Sequence, residues 1–200
     1  MSWQGGAELK SRYMVLEASP NAAAPATAVQ FSAKNVAAIL VERGWLAADC
    51  DVGAEGALSS WLKRAAELLG PHAEDRASFA GLLAAIFHYD AKALLRESTN
   101  QGVLAREGAR DVIRALANRV LDDGDVDSDR FKEIIDGIKS ALPQRSRELF
   151  HPVRLALAGR VGEGELDRVI LLLDFAAKLP FAVQVKGTRE RMLEFCAALD

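Results

Sequence analysis

Cysteine is nearly absent: Cys50 and Cys196 are the only two among 200 residues. Two thiols cannot build a disulfide framework or a zinc cluster, so a reducing, cytosolic compartment is expected. Long apolar runs are missing as well. The longest, such as Leu82–Phe87 and Val169–Leu173, fall far short of the ~20 residues that a bilayer-spanning helix needs. No basic stretch followed by an apolar segment opens the chain, so no secretory signal and no membrane partner are expected. Neither sign of charge dominates: 25 basic and 28 acidic side chains leave a net charge of -3 and a pI near 5.7. Those totals do not suggest a strongly basic nucleic-acid binder, and no DNA partner is expected. β-Branched residues are scarce too, with 14 Val, 7 Ile and 3 Thr against 35 Ala and 26 Leu. Ala and Leu lose little side-chain freedom in a helix, whereas β-branched residues lose more.

What is present reads as a folded helical chain. Half the residues are apolar and 26% are charged, which excludes a disordered or fibrous class. Residues 1–30 differ from the rest: Ala18 to Ala28 reads ASPNAAAPATA, an arm and linker composition broken by Pro20 and Pro25. From Phe31 the spacing predicts helices. One runs from Lys34 to Arg43 and ends at Gly44, and another carries Leu58, Trp61, Leu62, Ala65 and Leu69 before Gly70-Pro71. Phe79 to Phe87 forms a third, and Asp90 caps a short one through Leu95. Leu104 to Leu121 reads as one long helix. Phe131, Ile134, Ile135, Ile138 and Leu142 give the cleanest amphipathic spacing in the chain. Pro152 then suits the first turn of a helix ending at Gly159. Leu166 to Leu173 makes the next, and Thr188 caps the last, with Met192, Leu193 and Cys196 inward. The expectation is an all-α, multihelical fold of eight or nine helices. Two small helical subdomains, 31–125 and 126–200, would divide near Asp122–Ser128.

Catalytic signatures are missing. His72, His88 and His151 stand in no metal-ligand spacing, and there is neither a phosphate-binding G-x-x-x-x-G-K-[ST] loop nor a G-x-S-x-G elbow. The acidic stretch from Asp122 to Asp129 fails as a calcium loop. Counted from Asp123, the sixth and twelfth positions hold Ser128 and Ile134 rather than Gly and Glu. It reads as an acidic cap on the following helix. Cys196 reads as a small buried hydrophobe. Arg106, Arg110 and Arg114, at i, i+4 and i+8, would share one helix stripe that either meets phosphates or is simply solvated. No catalytic residue, cofactor or metal is expected.

One late segment says more. Arg145 to Leu173 reads RSRELFHPVRLALAGRVGEGELDRVILLL. A linker carries Arg145 and Arg147. A helix opened by Pro152 is expected to expose Arg154 and Arg160 beside the turn Gly162-Glu163-Gly164. A second helix starts just after it, with free N–H groups facing the same turn. From Lys139 on there are ten basic and eight acidic residues, against fifteen and twenty before it, so positive charge is shifted towards the C-terminal end. An internal ion pair of Arg154 with Glu148 or Glu194 is the alternative to exposure.

This segment resembles the anticodon-binding C-terminal region of bacterial glutamyl-tRNA synthetases. The elements that carry the resemblance are Leu149-Phe150, Pro152-Val153-Arg154, the apolar stretch Leu155 to Ala158 closed by Gly159, and Glu163-Gly164-Glu165-Leu166. Similarity is strongest over about thirty residues and looser from Phe31 to Leu142. Two departures stand out: Glu163-Gly164 replaces the family's Gly-Pro, and Ala158 replaces a Thr or Ser. Neither the H-x-G-H element nor a K-M-S-K-S-like loop of the synthetase's catalytic domain occurs. The resemblance implies an α-helical cage that receives a tRNA anticodon loop, on a free-standing relative or split component that activates no amino acid. It carries anticodon contact to His151, Arg154, Glu163, Gly164 and Leu166. Arg145, Arg147, Arg160, Lys186 and Arg189 would supply phosphate contacts. The expected partner is a tRNA, with glutamate tRNA first. A protein-interaction or oligomerisation module that kept the fold and lost RNA is the alternative, its partner a separate catalytic subunit or a second copy.

Overall fold

The computed structural model describes residues 31–50, 55–122 and 124–200, and the expected N-terminal arm and Asp123 lie outside them. Ten α-helices and one 3-10 turn, with no strand, make up the described residues: α1 Ala33–Glu42, α2 Ala57–Leu69, α3 Arg76–Phe87, α4 Ala91–Arg96, α5 Ser98–Leu104, α6 Ala109–Val120, α7 Ser128–Ala141, α8 Ser146–Ala158, α9 Glu165–Ala176 and α10 Thr188–Leu199. The expected all-α, multihelical class is the observed one.

Side-chain oxygens set where several helices begin. Ser32 and Asn35 form a reciprocal capping box on α1, and Asp75 and Ser78 form one on α3. Asp90 accepts from the Ala93 amide to start α4, and Asp127 accepts from the Arg130 amide to start α7. Each cap satisfies amides that have no partner inside the helix.

Three expected elements differ. The single helix from Leu104 to Leu121 is two, because Gly108 takes a left-handed φ of 74° just before α6. Helix α8 starts at Ser146, six residues before Pro152, which sits inside it. A proline there removes one N–H and crowds the carbonyl of Glu148, which lies on the exposed first turn where water can replace the lost donor. Thr188 does not cap α10. Gly187 holds that position, and the Thr188 hydroxyl donates to Asp174 Oδ2 at 2.7 Å. Leu193, expected inward, is 51% exposed.

Helix α9 lies against α2, α3 and α8, which explains its run of Val169 to Leu173. All five side chains are buried. Trp61 of α2 is fully buried and donates from Nε1 to the Leu172 carbonyl at 3.1 Å. Around it stand Phe87 and Phe181, edge to face, with Trp45 stacked on Phe87 at 4.6 Å between ring centres. The expected boundary near Asp122–Ser128 falls in the connection between α6 and α7. Buried residues on both sides of it join one apolar cluster. The α8–α9 connection, residues 159–164, rests on this base.

Candidate nucleic-acid interface

Gly159 ends α8 with φ 71°, a left-handed turn that glycine adopts without strain. A Cβ there would stand 3.2 Å from Tyr89 Cδ2 and 3.3 Å from Leu94 Cδ1. The chain can therefore reverse tightly against α4 and enter the turn at Gly162-Glu163-Gly164.

That turn is pinned from within. Arg154 donates from Nε and Nη2 to the two oxygens of Asp167, at 2.8 and 2.9 Å, and from Nη1 to the Gly162 carbonyl at 2.7 Å. Its guanidinium also lies over the Phe150 ring, 4.9 Å from the centroid. The planar fork matches a carboxylate edge to edge, and the third bond fixes the turn's main chain. Arg154 is only 6% exposed, so the expectation that it faces solvent does not hold. Its partner is Asp167, in the first turn of the next helix, rather than Glu148 or Glu194. Glu194 is occupied by Lys186 and by the Ala91 amide.

Around this buried pair, other candidates meet solvent. Arg147 reaches Glu163 at 3.4 Å, both side chains being mostly exposed. His151 is partly buried, and its Nδ1 lies 3.2 Å from Arg106 Nη1. Because an arginine only donates, this nitrogen accepts and the ring is neutral. Burial, and after it the guanidiniums of Arg106, Arg147 and Arg154, hold its pKa below the usual 6.5, while Glu163 opposes them. Arg106 is not on a helix stripe with Arg110 and Arg114; it precedes Gly108 and the start of α6. With Arg110, Leu104 and Leu199 it lines a groove of about 610 Å³. The sequence missed both Asp167 and the Arg106–His151 contact. A charged residue three places into a helix after a glycine turn is the signal that could have found Asp167.

The remaining candidates lie at separate contacts. Leu166 is buried and packs in the core, while Gly164 is exposed at the start of α9. Arg145 donates to the Leu142 and Gln144 carbonyls. Arg160 donates to the Gly81 carbonyl at 2.9 Å, joining the turn to α3. Lys186 is paired with Glu194 beside Tyr89, and Arg189 donates to the Leu121 carbonyl. The structure thus brings Arg147, His151, Arg154, Glu163 and Gly164 to one turn and puts Lys186 and Arg189 elsewhere.

The family model of the anticodon binding domain matches residues 32–174. The chain belongs to the anticodon binding domain family. The match supports a domain of the aminoacyl-tRNA synthetase type. It spans α1 through most of α9, including the whole α8–α9 turn, and leaves α10, Lys186 and Arg189 outside. No curated protein and no solved structure gives a significant match. No helix among the described residues is long and apolar enough to cross a membrane, and no cluster of potential metal ligands occurs among them.

Proposed function

We propose that this anticodon-binding domain is a non-catalytic tRNA-binding module, acting in the cytoplasm, that receives an anticodon loop against the α8–α9 turn. One observation carries the reading: Arg154 fixes the turn from inside, and Glu163 and Gly164 stand exposed at its tip, with Arg147 and His151 beside it. A rigid, exposed turn flanked by arginines and a neutral imidazole suits the edges and faces of unstacked bases. Arg154 is then a positioning residue, and Arg106 joins Arg147 and Arg160 as a phosphate contact. The motif from Leu149 to Leu166 makes glutamate tRNA the first candidate.

The 200-residue chain is titrated with glutamate tRNA and with an unrelated tRNA at low and raised salt. Binding that weakens steeply with salt, and that depends on the anticodon nucleotides, is the expected result. No binding at low salt removes the reading.

Glu163 favours a second reading. Its carboxylate occupies the tip of the turn and draws Arg147 into an ion pair, which suits a protein partner. Light scattering and co-purification from ribonuclease-treated lysate separate the two. Partners that persist without RNA support this alternative, and partners lost with the RNA argue against it.

A further inference from the structure

Beside the turn, with Gly164 and Asp167 in its lining, lies a cavity of about 290 Å³. Phe131 and Leu171, both buried, form its floor. Lys132 of α7, Arg168 of α9 and His72 of the 3-10 turn border it, and all three are exposed. Asp167 is the one carboxylate in the lining, and both of its oxygens already accept from Arg154. The negative charge is therefore compensated, while the ammonium and guanidinium at the rim are not drawn into it. Ser128 and Gly164, at the starts of α7 and α9, complete the border. The start of α7 is already capped by the Asp127 carboxylate, so the helix starts do not make the site; two long cations from different helices border the same recess. A lysine acts as a point charge and an arginine as a two-pronged donor, a pairing that suits phosphate oxygens.

We propose that this cavity seats a phosphate group, held by Lys132 and Arg168 with the Ser128 hydroxyl as a further donor. The inference rests on the tRNA-binding reading for the source of that phosphate: a backbone phosphodiester next to the nucleotides at the α8–α9 turn. The anticodon loop would then be gripped at two points, base edges at residues 163–164 and backbone in the cavity.

Two measurements on the full chain test it. In the first, inorganic phosphate is titrated at constant ionic strength while amide NMR shifts are followed. Saturable shifts confined to residues around Ser128, Lys132, Gly164 and Arg168, and abolished by Lys132→Gln with Arg168→Gln, are expected. Absent or non-saturable shifts, or shifts that survive both substitutions, overturn the proposal. In the second, tRNA affinity is measured against salt. Each substitution should lower the slope of log K on log salt by about one, with Lys92→Gln on α4 as the control that does not. A lowered slope assigns the site to RNA backbone. An unchanged slope with intact phosphate binding assigns it to free phosphate or a small phosphorylated molecule. If the parent binds no tRNA, the functional reading fails, and the phosphate titration still decides the cavity.

Discussion

Arg154 shows how one side chain can look like a ligand contact and be a strut. Its guanidinium is out of water, and its charge is met by Asp167. Removing one partner of such a pair strands the other, so Arg154→Ala should cost about 3–5 kcal/mol. Lysine cannot restore the fork, and Arg154→Lys should recover only part of that loss. Denaturant melts of both variants, with Asp167→Asn and the double substitution, measure the coupling; additive losses would contradict the pairing. His151 gives a pH prediction. Its pKa is depressed in the fold, so below the unfolded value near 6.5 the unfolded chain holds more proton. Stability from this group is full above that value and declines as pH falls through it. Urea melts between pH 7.5 and 5 should therefore show a shallower acid loss in His151→Gln. In the sequence, the residues of this site were readable as a motif, because Pro, Arg and Gly at fixed spacing mark a turn. Which way Arg154 points was not, since a guanidinium beside a turn can face water or an unseen carboxylate thirteen residues on.

Helix ends decided by local chemistry were legible, and those decided by distant packing were not. Asp90 and Gly44 act as their side chains, or lack of one, dictate. Gly108 breaks the Leu104–Leu121 pattern although apolar residues continue through it, because φ 74° is a choice only the folded chain makes. Pro152 misled for the opposite reason: α8 tolerates it where the orphaned carbonyl is exposed. Gly159 and Gly164, two of the three glycines of the α8–α9 connection, should therefore behave differently. Gly159→Ala meets a left-handed φ and two side chains at 3.2–3.3 Å. The backbone penalty alone is about 1–2 kcal/mol. Gly164 has φ -64°, and a methyl group added there would find no atom within 4 Å, so Gly164→Ala should leave stability unchanged or raise it slightly. Thermal melts of the two variants compare them directly. If Gly164→Ala melts normally and still weakens tRNA, the exposed turn at this position is a contact.

The fold depends on a helix beyond the matched family span. Arg191 of α10 is fully buried yet has no carboxylate within ion-pair distance among the described residues. It donates instead to the carbonyls of Ala85 and Ile86 near the end of α3, Leu157 near the end of α8, and Lys186. The first three are helix-end carbonyls that lack intrahelical donors or carry the negative pole of their helix, so a cation is the fitting partner. Tyr89 covers the guanidinium at 4.7 Å and donates its hydroxyl to the Ala156 carbonyl. Burial lowers the Arg191 pKa to about 10, which still leaves it charged at neutral pH. One residue thus ties α3 and α8, and with them the base of the α8–α9 turn, to α10. Met192 and Phe195 add two more fully buried side chains from the same helix. A fragment ending at Ala176 loses these three side chains and leaves the carbonyls of Ala85, Ile86 and Leu157 without this donor. Each costs about 1–3 kcal/mol where water cannot replace it. Such a fragment should not unfold cooperatively. Arg191→Leu in the full chain keeps the apolar contacts of α10 and removes only the donors, so it separates the two contributions. Calorimetry of both decides: a sharp transition from the fragment at the parent temperature would show that the α8–α9 turn holds its shape without α10.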